Sequence, residues 1–341
     1  MQNKNNLGKE SGVINVGILG CANIAKKYAI EAFKSIKKVD KIFIASRDIE
    51  KAKKWAADFN IDFKNSYEDI VNDKSIDAVY IPLPVNMHEE WAIKCAKKNK
   101  HVICEKSLAS DFDAVKKMVE TFNKEGLVLF ENFACEYHPQ HSKVLSLIKN
   151  GEIGTPLVFG SYFGFQIPEG NIRKDEKLDT GSLNDIGAYL VYMSRKIFGE
   201  EPISAVADFD QNQGALYMKF PGNKEAFGGF GLNHAYQNNY SVWGSTGLIE
   251  VKKAYSIAPK INAPISIFKA KPEGDTLEQI EVENANQFEL IFRDFCKTIL
   301  EKNDKKRLEK YDAILFQARV MQALRIAKES DSKVFLNKLN L

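Results

Sequence analysis

The sequence predicts an α/β chain in two parts, a doubly wound parallel sheet followed by an α+β half with an open-faced, mostly antiparallel sheet. Three observations carry this. Over residues 13–131, short apolar runs alternate with segments of helical spacing, the βαβ rhythm of a parallel sheet. The first of those runs ends in a glycine turn that opens a helix. From about residue 132, alternating segments follow one another with few long helices between them, as in an antiparallel or mixed sheet.

Val13–Leu19 is a short, largely β-branched apolar run, long enough for a buried strand, and it ends at Gly20. Asn23–Phe33 then takes helical spacing, with Ile24, Tyr28 and Phe33 on one side. Strand, glycine turn and helix N-terminus suit a dinucleotide pyrophosphate, because unpaired N–H groups and the positive end of the helix dipole meet the phosphate charge. Read as G-x-G-x-x-G, the turn gives Gly20, Ala22 and Ala25, so only the first glycine is present. Alanine at the third place still permits close helix–strand packing; at the second it sets a methyl group where the backbone approaches phosphate. On this motif alone, an ordinary strand–turn–helix is the competing reading. The candidate phosphate contacts are Gly20, Cys21, Ala22, Asn23 and Ile24.

Lys41–Ala45 is the second strand and Ile49–Phe59 the second helix; Ala78–Ile81, Glu89–Lys98 and His101–Cys104 continue the alternation. Asp111–Glu125 follows as a helix capped by Ser110, and Leu127–Phe130 as a strand. In such a sheet the ligand lies at the carboxyl ends of the strands. After the second strand, Ser46 and Arg47 stand where an NAD site usually has an acid. A hydroxyl and a guanidinium suit a 2′-phosphate, so NADP(H) is preferred over NAD(H), against the alternative of an exposed surface arginine. Pro82 and Leu83 stiffen the loop after the third strand, where a nicotinamide would lie, and His88 opens the next helix, as a cofactor contact or as a partly buried capping residue. Glu105 and Lys106 follow the fourth strand, a charged pair on the rim of that crevice.

In the second part, Ser142–Lys149 reads as a helix and Leu157–Gln166 as a strand. Ile203–Phe209, Ala215–Phe220, Ala226–Leu232, Tyr240–Trp243 and Leu248–Val251 read as further strands. Leu183–Phe198, Gln287–Glu301 and Leu308–Glu329 read as helices. The expected division is a tail at 1–12, a dinucleotide-binding domain at 13–131, and a substrate-binding and oligomerisation domain at 132–341. Asp185 and Tyr189 are four apart and so share a helix face, as a chemical pair or as a capping acid and a half-buried aromatic.

The 341 residues are ample for two domains, and 44% hydrophobic with 27% charged residues is ordinary globular composition. A net charge of +3 is too small to call for nucleic acid, and the one basic block, Lys302–Arg307, reads as a solvated loop between helices. Cys21, Cys95, Cys104, Cys135 and Cys296 form no C-x-x-C and meet no histidines at zinc spacing; no metal site is expected, and a reducing cytoplasm is. Residues 1–12 are polar and lack the apolar core of a signal peptide, and no apolar run approaches membrane-spanning length.

Several motifs occur in order: Gly20-Cys-Ala-Asn-Ile-Ala25, Ala45-Ser-Arg-Asp48, Asp77-Ala-Val-Tyr-Ile-Pro-Leu-Pro84, Met87-His-Glu-Glu-Trp91 and Lys100-His-Val-Ile-Cys-Glu-Lys106. Gly151-Glu-Ile-Gly154, Thr180-Gly-Ser-Leu-Asn-Asp-Ile-Gly-Ala-Tyr189 and Tyr240-Ser-Val-Trp-Gly-Ser-Thr-Gly-Leu-Ile249 follow. Together they resemble the Gfo/Idh/MocA oxidoreductase family across nearly the whole chain, most closely its NADPH-dependent sugar-nucleotide 3-ketoreductases. Glucose–fructose oxidoreductase and dimeric dihydrodiol dehydrogenase are also similar. The resemblance implies a Rossmann domain joined to an open-faced sheet that mediates homodimer or homotetramer formation. It implies Lys106 as the family's E-K-P lysine and Tyr189 as the acid of its D-x-G-x-H/Y motif. Ser107 replaces the usual proline, and tyrosine in place of histidine at 189 favours the ketoreductase and dihydrodiol branches.

Ketone reduction puts charge on the oxygen, so a proton donor and a cation beside it lower the barrier. A tyrosine titrates near ~10, and a nearby ammonium would lower that value. The expected roles are proton donation by Tyr189, polarisation and tuning of Tyr189 by Lys106, and orientation of substrate or lysine by Asp185. His138 and Arg173 fall where the ketoreductase branch lines its pocket; Arg173 either pairs with a nucleotide diphosphate or is a surface arginine in a loop. The expected function is NADPH-dependent reduction of the C3 ketone of a nucleotide-linked deoxyhexose. A free-sugar or trans-dihydrodiol dehydrogenase is the alternative, and a non-catalytic dinucleotide-binding regulator the reading from another class. Keeping both Lys106 and Tyr189 counts against the regulator.

Overall fold

The structure is a computed structural model describing residues 12–270 and 273–339. Apart from Gly12, the tail expected over residues 1–12 lies outside the described residues.

The first sheet has six parallel strands: β1 (Ile14–Leu19), β2 (Val39–Ala45), β3 (Asp62–Phe63), β4 (Ala78–Ile81), β5 (His101–Glu105) and β6 (Leu129–Asn132), in the order β3-β2-β1-β4-β5-β6. Every residue of β1 and β4 is buried, because helices cover both faces. Between the strands run α1 (Ile30–Lys34), α2 (Ile49–Phe59), α3 (Tyr67–Asn72), α4 (His88–Lys97) and α5 (Phe112–Lys124). A π-helical stretch, Ala25–Ala29, precedes α1, so the helix expected over Asn23–Phe33 is present with a wider first turn. Asp111 rather than Ser110 caps α5: its carboxylate accepts the Ala114 amide at 2.8 Å, and a carboxylate also complements the helix dipole.

The second sheet has nine strands: β7 (Pro156–Phe165), β8 (Ser204–Phe209), β9 (Gln213–Lys219), β10 (Glu225–Leu232), β11 (Gln237–Gly244), β12 (Gly247–Lys252), β13 (Ile265–Lys269), β14 (Thr276–Ile280) and β15 (Val334–Phe335). Only β7 and β10 pair in parallel, so the sheet is mixed but mostly antiparallel. One face packs on α6 (Pro139–Lys149) and α7 (Ala188–Phe198) through Phe159, Phe163, Phe230, Val144 and Leu190. The other face is open. Its register sets Leu277, Phe268, Leu248, Trp243 and Val158 side by side across five strands, with Trp243 63% and Leu277 58% exposed.

The closing helices α8 (Gln287–Leu300) and α9 (Asp304–Glu329) return to the first sheet. Phe292 of α8 stacks on Phe33 with centroids 4.1 Å apart, and Phe295 meets Phe130 at 5.4 Å. Along α9, Tyr311, Ile314 and Ala318 join the first sheet's core, and Val320, Met321 and Leu324 join the second's. The block Lys302–Arg307, expected as a loop, belongs largely to α9: Asn303 caps the helix by accepting the Lys306 amide at 3.0 Å. Among the described residues, no helix is long and apolar enough to cross a membrane.

Candidate active site

The chain reverses its direction across the sheet between β1 and β4, and such a reversal leaves a crevice at the carboxyl ends of the strands. At the end of β1, Gly20 has φ +106°, and a Cβ there would lie 3.0 Å from Leu83 Cδ2 and 3.4 Å from the Tyr67 hydroxyl. Only glycine tolerates that conformation and that approach. Ala25 is fully buried against the strand, as the third position of the fingerprint requires, while Ala22 and Ile24 are half-buried and Asn23 is exposed. Cys21 hydrogen-bonds to Ser46; burial raises its thiol pKa against that bond. Arg47 is exposed beside Tyr67, whose hydroxyl pKa burial raises while Arg47 draws it back. Pro82 is buried and Leu83 half-buried at the end of β4. This glycine cradle, with a hydroxyl and a guanidinium one strand away, fits a dinucleotide carrying an extra ribose phosphate.

His88 is fully buried, and its two ring nitrogens face main-chain carbonyls, Leu83 O at 2.7 Å and Ser107 O at 3.1 Å. Neither nitrogen is left for a cofactor, so the expected direct contact gives way to a tie between two loops. Glu105 ends β5 inside the protein. Its Oε1 accepts from the Tyr80 hydroxyl at 2.5 Å and from Asn132 Nδ2 at 2.6 Å. Burial raises the Glu105 carboxyl, against the pull of those two bonds and of Lys106.

Lys106 follows, and its peptide bond to Ser107 is cis although serine replaces the family's proline. The Lys106 ammonium donates to Asp185 O at 2.6 Å and Asp185 Oδ1 at 2.9 Å, and lies 4.8 Å from the centre of the Tyr189 ring. Asp185 stands on a π-helical stretch, Leu183–Gly187, that runs into α7, and Tyr189 is the second residue of α7. The wider turn keeps the two, four apart, on the face that Lys106 meets. Ser107 Oγ donates to Asn184 O at 3.1 Å, a second link between the halves.

Arg173 reaches the same carboxylate, its Nε donating to Asp185 Oδ2 at 2.6 Å, so it is not a loose surface arginine. Its terminal nitrogens have no hydrogen-bond partner among the described residues, and its side chain is 39% exposed. The segment carrying it crosses to the first sheet, where Asn86 Nδ2 donates to Lys177 O at 2.9 Å. Burial alone would raise the Asp185 carboxyl, but Lys106 and Arg173 together hold it down at about 2.

Tyr189 packs among Phe133, Phe163 and Tyr255, with centroids 5.8, 5.4 and 5.2 Å away, and its hydroxyl makes no hydrogen bond among the described residues. Burial raises its pKa well above the ordinary value, helped by Cys135, Glu105 and Asp185, and Arg173 opposes. The expected lowering by Lys106 is therefore not found. The ammonium lies over the ring and spends its charge on Asp185, and desolvation dominates. His138 caps α6, its Nδ1 accepting the Gln140 amide at 3.3 Å; Nε2 is buried without a partner among the described residues, and burial lowers the ring's pKa. No hydrogen bond joins His138 to Lys106, Asp185 or Tyr189.

Two further participants were not anticipated. Tyr80 had a visible signal, since a phenol inside an apolar strand needs a partner for its hydroxyl. Tyr67 lies on a helix of six residues, too short for its periodicity to register.

Residues 14–133 match the oxidoreductase family with an NAD-binding Rossmann fold, and residues 141–250 match the GFO/IDH/MocA C-terminal domain. The chain is 31% identical over 262 residues to the dTDP-3,4-didehydro-2,6-dideoxy-α-D-glucose 3-reductase of Saccharopolyspora spinosa, covering 74% of this chain and 79% of that one. It is 28% identical to the trans-1,2-dihydrobenzene-1,2-diol dehydrogenase of Xenopus tropicalis, covering 69% and 74%. Among solved structures, a 3-ketoreductase from Actinomadura kijaniata in complex with NADP and TDP-benzene is similar with TM-score 0.87 and 28% identity, covering 92% of this chain and 98% of that one. Strand order, crevice and sequence therefore agree, and the chain belongs to the GFO/IDH/MocA oxidoreductase family.

Proposed function

We propose that the protein is an NADPH-dependent reductase of a sugar ketone, acting on C3 of a nucleotide-linked deoxyhexose. The observation that carries this reading is the meeting of Lys106, Asp185 and Tyr189 at the carboxyl edge of the first sheet. Main-chain groups of Gly20 to Ile24 would hold the pyrophosphate, Ser46 and Arg47 the 2′-phosphate, and Pro82, Leu83 and Glu105 would border the nicotinamide side. The bound dinucleotide supplies the hydride.

Of the three N–H groups on Lys106, two are taken by Asp185, and the third is free to donate to the ketone oxygen as charge gathers there. Asp185 holds the ammonium by its main-chain and side-chain oxygens. The raised pKa of Tyr189 keeps the phenol protonated at neutral pH, the state from which it gives its proton to that oxygen. The free nitrogens of Arg173 would take a phosphate or hydroxyl of the substrate, and the unpartnered Nε2 of His138 a further polar group. The relatives named above support the substrate class, and five free cysteines, all buried, suit a reducing cytoplasm. We further propose self-association, as a dimer or tetramer, through the apolar row on the open sheet face.

The test follows NADPH absorbance with a panel of nucleotide-linked 3- and 4-ketohexoses, nucleotide-free sugars and a trans-dihydrodiol, with NADH in parallel. Turnover confined to the nucleotide-linked 3-ketosugars supports the proposal. Turnover of free sugars or diols alone moves the chain to the dehydrogenase reading, and cofactor binding without any turnover to a regulator.

A further inference from the structure

One peptide unit next to the active-site lysine is gripped at both ends. The Ser107–Leu108 peptide is the second after Lys106, beyond the Lys106–Ser107 bond. Its carbonyl lies 3.1 Å from His88 Nδ1, and its amide donates to Glu131 Oε1 at 3.0 Å. Strand β5, which delivers Lys106, lies between β4 and β6. His88 comes from the helix that follows β4, and Glu131 from β6 itself. The two grips therefore arrive from the two flanking strands. We infer that His88 and Glu131 are positioning residues for Lys106, fixing its turn so that the ammonium is held at Asp185. This rests on reading Lys106 as the group at the substrate oxygen.

A buried peptide needs partners for both its polar groups, and here β5 has ended, so side chains must supply them. Among the described residues, the Glu131 carboxylate makes no other hydrogen bond. Its neighbour Asn132 holds Glu105 at 2.6 Å, so consecutive residues of β6 secure both sides of the lysine. Both groups can also titrate: a neutral His88 carries one N–H and donates to one of the two carbonyls it faces, and a protonated ring donates to both. Burial pushes the Glu131 carboxyl up to about 7, against the Leu108 amide, Arg195 of α7 and Lys106, with Glu105 acting in the same sense as burial. Asp111 and Arg325 line the same small cavity as Glu131. Burial lowers the pKa of His88, against the main-chain groups of Leu83, Ser107 and Leu108 and with Lys106 acting in the same sense. When Glu131 ionises, its bond to the Leu108 amide becomes charge-assisted and shorter, so the lysine turn tightens as pH rises through neutrality.

The test labels lysines by acylation in the chain free of cofactor and substrate, with mass spectrometry following Lys106 relative to Lys305, whose side chain is 87% exposed. The Lys106 side chain is 8% exposed and should label slowly. Glu131→Leu should speed its labelling about tenfold, and Glu131→Gln, which keeps a neutral acceptor for the amide, should hold protection at the level the wild type shows near pH 6. In the wild type, relative labelling of Lys106 should fall from about pH 6 to about pH 8, and Glu131→Gln should abolish that fall. Turnover should follow, with kcat down about tenfold in Glu131→Leu and KM within about twofold. If Glu131→Leu does not fold, the pH dependence in Glu131→Gln decides. Unchanged labelling and unchanged pH dependence in these variants would overturn the inference. If labelling responds as expected but no ketosugar is reduced, the proposed function fails while the positioning roles stand.

Discussion

Asp185→Asn tests the charge arrangement at the centre of the site. The wild-type carboxylate receives Lys106 at 2.9 Å and Arg173 at 2.6 Å, and these cations hold its pKa at about 2 instead of the ordinary 3.8. At about 1.4 kcal/mol per tenfold change in proton affinity, that difference is worth about 2 kcal/mol at pH 7. The sign follows from the direction: the folded pKa is depressed, so the contribution is full above pH 4 and is lost as pH falls towards about 2. At pH 3 about 1 kcal/mol should remain. In the variant two cations are left facing a neutral amide, which adds a penalty of the kind seen when one partner of a buried pair is removed. Arg173 is partly open to water, which moderates it. Urea titrations of both proteins at pH 7, 5 and 3 should thus give a stability difference of about 2–4 kcal/mol at neutrality that shrinks with acidification. A difference below about 0.5 kcal/mol at pH 7, or one that does not change down to pH 3, would refute the electrostatic account.

Tyr189→Phe removes the proposed proton donor without removing the ring from its aromatic cluster; kcat should fall by about 10²–10⁴ while cofactor affinity, read by fluorescence titration, stays within about twofold. Arg47→Ala should raise the KM for NADPH by about tenfold or more and leave that for NADH nearly unchanged, because only the 2′-phosphate loses a partner. Trp243→Glu places a charge in the exposed apolar row of the open sheet and should weaken self-association about 100-fold or more, seen by sedimentation velocity, with the far-UV spectrum unchanged.

The first sheet was legible because its strands are buried on both faces, so apolar runs such as Ala78–Ile81 stand out between helical segments. Strands β3 and β15, two residues each, are too short for any period, and α3 is barely longer. β14 has no buried residue, so no alternation announces it. At the site, strand-end placement set Lys106 on the crevice rim and helical spacing set Asp185 and Tyr189 on one face, while their joint role was what the family resemblance implied; the structure brings the three together. Two features did not. The direction of the Tyr189 pKa depends on how completely the ring is packed, and the two ring nitrogens of His88 face carbonyls from segments far apart in sequence. Both are products of tertiary contact, which local pattern does not contain.

Helix α9 contributes to the interior of both halves, and α8 completes the dinucleotide half from the far end of the chain. A chimera that exchanges substrate halves between relatives therefore cannot be joined at a single point near residue 132. The recipient would keep the cavity that Phe292 and Phe295 fill, and would receive in exchange helices shaped for another protein's sheet. Two junctions are needed, one near residue 132 and one ahead of Gln287, and even then α9 must suit both donors at once.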